Sequence, residues 1–433
     1  MELIERILSE ENLRKAIRQV KANKGASGID KMNVDELDDY FSSHKTEIIT
    51  SIKDMTYKPK PVRRVYIPKP NGKKRPLGIP TVVDRVIQQA IAQQLSIIYE
   101  PLFSNNSYGF RLNRSAHDAI EETLNLINEG YDWIIDLDIE KYFDTVNHDK
   151  LISILREEVN DRVTLHLIRQ FLKAGIMEDG LVSSSIKGVP QGGPLSPVLS
   201  NIYLDKFDKE LETRGLHFTR YADDAVILVR SELSANRVMK SVTAWLEKKL
   251  FLKVSAIKTK VVRPNKSNFL GFTFWKDKEV WKCKPQDDRV NKLYDKCRKL
   301  LVRKRAVAMP TALLFTKLNQ IIRGWINYFH IGSMKSKMEL FGKWLRHKVR
   351  VVILKKWKRP RTIYRKLMSM NRTFKCSFTH EQILAVANAR QGLYRRANLP
   401  IVNFILSPKV FAIVNKKKGQ PGLVMPLEYY LSK

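Results

Sequence analysis

RYADDAVILV, residues 220–229, sets two adjacent acids, Asp223 and Asp224, at the head of an unbroken apolar run. Ala225–Val229 reads as a buried strand, and Phe218–Tyr221 before it as a second strand, so the two acids fall at the turn of a hairpin. Upstream, IIDLDIEKYFDTV (134–146) carries three more aspartates, Asp136, Asp138 and Asp144, on and after another apolar strand, Tyr131–Ile139. Strand alternation puts Asp136 and Asp138 on one face, so periodicity does not choose between them. Carboxylates gathered at the edge of an apolar core are costly unless a cation neutralises them. Mg²⁺ takes oxygen ligands, commonly one or two carboxylates plus substrate phosphate. Two such ions about 3.5–4 Å apart stabilise both the attacking and the leaving oxygen of an in-line displacement. Asp-Asp is also ordinary turn chemistry. The apolar strands on both sides of the turn and the acidic strand upstream favour the cation reading.

Outward from these strands, helical spacing covers residues 2–22, and KGASGID (24–30) reads as a loop before a helix over Val34–Ile49. Lys58–Pro80 holds six prolines, and two short strands there flank the turn Lys69-Pro-Asn-Gly-Lys73. Asp84–Tyr99 is a predicted helix. Ser115 caps another that ends before Gly130. Further helices are expected from about His148, over 194–213 with entry through Pro194 and Pro197, and over 233–250. A strand near Lys253–Val262 and a hairpin over Asn268–Trp275 complete an α+β body, with an all-α region after it.

Charge divides the chain unevenly. Its 433 residues carry a formal charge of +34. Residues 1–275 hold 41 basic and 36 acidic residues, whereas 276–433 hold 37 and 8. The cationic third is not low-complexity. Leu318, Ile321, Ile322, Trp325, Ile326 and Phe329 recur at helical spacing, and Lys343, Arg346, Lys348 and Arg350 interleave with Trp344, Leu345, Val349 and Val352. Folded helices with a basic solvent face suit the regularly spaced phosphates of a nucleic acid. Cys283, Cys297 and Cys376 form no CxxC pair, which excludes a Cys-rich zinc site. The N-terminus lacks the apolar core of a signal peptide, and no apolar run reaches 18 residues. A soluble cytoplasmic protein without a membrane partner is expected.

Tyr221-Ala-Asp-Asp224 resembles the signature of reverse transcriptases. The likeness continues in order through RPLGIPTVVDRVIQQAI (75–91), SYGFR (107–111), DIEKYFDTV (138–146), GVPQGGPLSPVLSNIYL (188–204), IKTKVV (257–262) and FLGFTF (269–274). These blocks resemble the group II intron reverse transcriptases, and IIRGWINYF (321–329) is similar to the maturase or thumb region of that family. The resemblance spans about residues 20–370. It implies a right-hand polymerase: an N-terminal extension (1–60), fingers and palm (61–275), a thumb/maturase region (276–370) and a small basic, DNA-binding-like region (371–433) that includes Lys416-Lys-Lys418. With only 63 residues after 370 and no Cys pair, a form lacking the HNH endonuclease of larger members is expected.

The resemblance also assigns roles. Asp138, Asp223 and Asp224 are the implied catalytic metal ligands, because an aromatic follows the metal aspartate by five positions and Phe143 does so for Asp138. The Ile139 carbonyl is an implied further oxygen, and Asp136 a structural acid. Phe143 is the implied gate beneath the nucleotide sugar, leaving no room for a 2′-OH. Lys69 and Arg75 clasp the triphosphate by charge and by the guanidinium fork. Gln191 contacts nucleotide or template, and Tyr221 supports primer or template. Arg111 is a weaker triphosphate or template candidate. Lys258 approaches the phosphates or passes a proton to the leaving pyrophosphate. The implied cofactors are two Mg²⁺ ions, replaceable by Mn²⁺. The implied partners are dNTPs, an RNA template with a DNA or RNA primer, structured intron RNA and target DNA, in a bacterial host. Two other readings remain: a domesticated enzyme of repair or phage defence, and an RNA-binding maturase with little polymerase activity.

Overall fold

The computed structural model describes residues 2–68, 72, 74–178, 180–183, 187–413 and 419–433. Lys69 and the Lys416–Lys418 run lie outside the described residues. The chain divides into two units, Met1–Leu270 and Gly271–Lys433.

Among the described residues, the first unit holds two four-stranded sheets. Strands β1 (Val62–Pro68) and β2 (Lys74–Ile79) form the proline-bounded hairpin, with Ile67 opposite Arg75. Strand β3 is Trp133–Asp138, and β4 (Ile176–Glu178) and β5 (Leu181–Ser183) are short. Strands β6 (His217–Tyr221) and β7 (Asp224–Val229) are the arms of the acidic hairpin, and β8 is Lys260–Val262. The first sheet runs β2-β1-β4-β5 and the second β6-β7-β3-β8. In the second sheet every pairing is antiparallel.

The apolar runs decide the core of this unit. Ile134, Ile135, Ile227 and Leu228 are all at most 1% exposed. Each such side chain contributes at most about 1.5–3 kcal/mol. Ile135 and Ile227 belong to one continuous cluster, to which helices Val82–Tyr99, Ser196–Thr213 and Glu232–Leu250 also contribute. Their starts follow from local chemistry. Thr81 and Ser231 accept hydrogen bonds from Asp84 N and Ser234 N, and Pro197 occupies the first turn of Ser196–Thr213. The N-terminal helix is broken in two, Leu3–Ile7 and Glu10–Ala22, because Ser9 turns its hydroxyl to the Asn12 amide and caps the second piece.

Two boundary expectations are corrected. The hairpin expected over Asn268–Trp275 is instead β9 (Phe272–Asp277) with β10 (Val280–Pro285), in register Phe272↔Pro285. The region after residue 275 therefore begins with a strand before it becomes helical. The strand expected over Lys253–Val262 is regular only at β8. Residues 253–259 approach β3 through a single Ile139↔Val254 bridge and a turn closed by Thr259 N donating to Ser255 O.

The second unit is helical beyond β10, with Thr311–Phe329 and Lys335–Trp357 its longest helices. Leu318, Ile322, Ile326 and Phe329 are buried, as their spacing predicts, whereas Ile321 and Trp325 at the edge of the same stripe are only half-buried. Arg350 departs from its expected solvent face. Its guanidinium donates to the Leu406 and Asn403 carbonyls, and burial pushes its pKa down to about 10. No helix among the described residues is long and apolar enough to cross a membrane.

Candidate active site

Register brings the acids together. In the β3–β7 ladder Asp138 lies opposite Asp224, and in the β6–β7 hairpin Tyr221 also lies opposite Asp224. The two residues between the arms are Ala222 and Asp223. Ala222 adopts φ +58°, a conformation uncommon outside glycine and enriched at functional turns. Carboxylates from two distant segments, Asp138 and the Asp223-Asp224 pair, thus converge on one sheet edge because antiparallel pairing fixes who faces whom.

Their electrostatics record the crowding. Burial, then the neighbouring Asp223 and Asp138 charges, push Asp224 up to about 6. Burial and Asp138 also raise Asp223, against the opposing pull of Arg75 and Lys258. The Lys258 ammonium meets this charge directly, with Nζ 2.9 Å from each carboxylate oxygen of Asp138. The turn at 255–259 makes this contact, anchored by Ser255 N donating to Asp138 O. Among the described residues no three acidic, histidine or cysteine side chains are gathered tightly enough to enclose an ion. The donor set nevertheless fits divalent cations. It is all oxygen, its acids repel one another, and its neutralising lysine is 67% exposed, free to be displaced.

Asp136 is separated from this group. It accepts from Ser267 Oγ at 2.6 Å and pairs with Lys260 at 3.4 Å, so the tertiary structure divides two acids that alternation could not.

A cavity of about 660 Å³ opens onto the acids, lined among others by Arg75, Phe143, Gln191, Tyr221, Asp223 and Asp224. Phe143 packs edge-on against the buried Tyr142 ring at 5.2 Å, and its carbonyl accepts from Val189 N at 2.6 Å. Gln191 is fixed through its backbone, whose carbonyl accepts from Gly78 N at 2.7 Å. The next residue must be glycine. Gly192 has φ +124°, and a Cβ there would stand 2.5 Å from the Gly78 carbonyl oxygen. The GVPQGG and RPLGIP blocks are therefore in backbone contact beneath the cavity. Ile139 is buried beside Asp138, bridged to Val254. Lys69, the other implied triphosphate residue, lies outside the described residues.

Arg111 is a correction. Its guanidinium donates to Glu100 Oε1 and to the carbonyls of Glu100, Ser104 and Ser107, and the side chain is 4% exposed. It is consumed in holding its own loop and offers nothing to a triphosphate.

Two arginines were missed by sequence reasoning. Arg85 lines the cavity and donates to the Ala26 carbonyl at 2.6 Å. Arg220 is 1% exposed beneath the acidic turn. For Arg220 the available signal was a charged side chain within the strand that leads into the acidic turn, a placement that demands a partner.

Residues 67–274 match the family model for reverse transcriptase (RNA-dependent DNA polymerase), and residues 290–370 match the group II intron maturase-specific domain. The chain is similar to the group II intron-encoded protein LtrA of Lactococcus lactis subsp. cremoris, with 43% identity over 213 residues. That alignment covers 49% of this chain and 35% of LtrA, so the chain spans about a third of that relative's length. It is also similar to protein YkfC of Escherichia coli (strain K12), at 34% identity over 303 residues, covering 61% of this chain and 80% of YkfC. Nuclear intron maturase 4, mitochondrial, of Arabidopsis thaliana is 35% identical over 139 residues, 32% of this chain and 17% of that protein.

Proposed function

The chain belongs to the group II intron reverse transcriptase and maturase family, and from that premise we propose that it is an RNA-directed DNA polymerase that also holds structured intron RNA. The observation that carries the polymerase reading is the register of Asp138 opposite Asp224, beside Asp223, at the edge of a cavity that Phe143 lines. Asp138, Asp223 and Asp224, with the Ile139 carbonyl, would hold two Mg²⁺ ions. When bound, these ions supply Lewis-acid stabilisation of the entering and leaving oxygens.

The chain's own residues perform the remaining tasks. Arg75, with Lys69, neutralises the incoming triphosphate by charge and fork geometry. Phe143 presents a ring with no hydrogen-bond partner for a 2′-OH, which favours dNTPs over rNTPs. Gln191 and Tyr221 orient nucleotide, primer and template on the cavity wall. Lys258, once released from Asp138, has an ammonium proton for the departing pyrophosphate oxygen. Residues 276–370 hold intron RNA on their basic helices and so assist splicing, and 371–433 contact target DNA. Relatives in two bacteria accord with a bacterial cytoplasmic setting.

The test is templated extension of a DNA primer on RNA with Mg²⁺, comparing dNTPs with rNTPs. Extension by dNTPs that Asp223→Ala abolishes is expected. Equal extension by that variant would remove the metal assignment, since losing charge stabilisation of this kind costs at least about 10²-fold in rate.

A further inference from the structure

Arg220 has five N–H donors, and every one is used. Nε donates to Asp208 Oδ1 at 2.7 Å, and Nη2 to Asp208 Oδ2 at 2.5 Å and Ser107 Oγ at 2.8 Å. Nη1 donates to Asn201 Oδ1 at 3.1 Å and to the Ala222 carbonyl at 2.9 Å. Asp208 and Asn201 lie on the same face of helix Ser196–Thr213, both at most 1% exposed. A buried ion pair is a weak device for stability alone, because apolar residues of equal volume serve as well. The distinctive contact here is the fifth, onto the backbone of the residue that carries the left-handed turn.

The SYGFR loop braces the same turn from another side. Ser107 and Arg220 form a parallel bridge, in which Tyr108 N donates to Arg220 O and Arg220 N to Asn106 O, both at 2.9 Å. Asn201 Nδ2 donates to the Gly109 carbonyl at 2.8 Å. Gly109 lies so close that a Cβ on it would stand 2.3 Å from Ala222 N. Arg111, freed from any ligand role, locks the far end of this loop.

We propose that Arg220 is a positioning residue for the polymerase reaction: anchored by Asp208 and Asn201, it holds the Ala222 carbonyl and thereby aims Asp223 and Asp224 at the position of the cations. The Gly109 backbone is the opposing wall that fixes the turn's height. A lysine cannot replace this arrangement, since it offers three donors from one point and no fork. The inference rests on the polymerase reading above, and its effect is on the geometry of the acids rather than on nucleotide affinity.

The experiment uses the full chain. Wild-type extension is measured first, and an inactive wild type would sink the polymerase reading. The positioning role is read separately, from Mn²⁺ binding followed by electron paramagnetic resonance on the same proteins. The paired variant Arg220→Met with Asp208→Leu removes both charges together, which a buried site tolerates far better than losing one. It is expected to keep its circular dichroism spectrum. Its kcat should fall about 100-fold, the loss that a displacement of about 1 Å can cause. The dNTP KM should change less than about threefold, and Mn²⁺ binding should weaken about tenfold. Gly109→Ala leaves the ion pair intact and displaces the turn. It is expected to give the same split between kcat and KM, and it carries the test if the paired variant does not fold. A folded paired variant, or a Gly109→Ala protein, with wild-type Mn²⁺ binding and wild-type kcat would overturn the inference.

Discussion

Replacing Asp224 with Asn should make the metal-free protein more stable while abolishing its response to metal. The carboxyl of Asp224 is raised to about 6 from 3.8 by burial, Asp223 and Asp138. Full conversion of that shift gives a ceiling of about 3 kcal/mol. Asp224 is solvent-facing at its outer edge, so screening reduces the realised effect to about 1 kcal/mol. The sign follows from linkage. A carboxyl whose folded pKa lies above its unfolded value favours the fold while protonated. That contribution is complete below about pH 3.8 and is lost as pH rises through about 6. The metal-free wild type should therefore lose about 1 kcal/mol between pH 4 and 7.5, and Asp224→Asn should lose less. In a domain of this size that corresponds to a difference of about 2–4 °C in unfolding midpoint at pH 7.5. Thermal scans with chelator, then with Mg²⁺, at pH 5 and 7.5 measure it. Mg²⁺ should raise the wild-type midpoint and leave the variant nearly unmoved. An Asn variant no more stable than wild type in chelator at pH 7.5, or one stabilised equally by Mg²⁺, would refute the picture of three mutually repelling acids awaiting a cation.

Lys258→Met removes the ammonium that competes for Asp138. An exposed pair of this kind is worth about 0.2–1 kcal/mol, so the Mg²⁺ concentration for half-maximal extension should drop about 1.4- to 5-fold, with kcat reduced. A higher Mg²⁺ requirement would contradict this. Phe143→Ala opens the sugar side of the cavity, and single-nucleotide kinetics should show discrimination against rNTPs falling at least about tenfold; unchanged rNTP exclusion would remove the gate role. Binding of structured RNA should weaken steeply between 50 and 200 mM salt, by about 10³-fold if six or more phosphates are neutralised. A chain ending at Leu270 that bound such RNA equally well would show that the cationic second unit is not the binding surface.

The sequence alone located most of the elements, though not the bounds of the hairpin at 272–285 or the break in the N-terminal helix. Apolar runs bounded by acids at 134–138 and 223–229 read as buried strands, because each is too short for a helix, rich in β-branched residues and flanked by turn residues. The lopsided charge after residue 275 and the helical spacing of Leu318, Ile322, Ile326 and Phe329 described a folded basic helical region without any coordinates. Alternation has a period of two, however, and it treats Asp136 and Asp138 alike. The family resemblance chose Asp138 through Phe143, and pairing with β7 and β8 gives that choice a physical ground, placing Asp138 opposite Asp224 and Asp136 against Lys260 and Ser267. Arg111 and Arg220 carry the same limit further. A residue's charge is written in the sequence, but whether its guanidinium meets a substrate or a buried carbonyl depends on contacts with residues up to 113 positions away. Long-range neighbours are a property of the packed chain, and in this protein they decide which of its many charges are left to do chemistry.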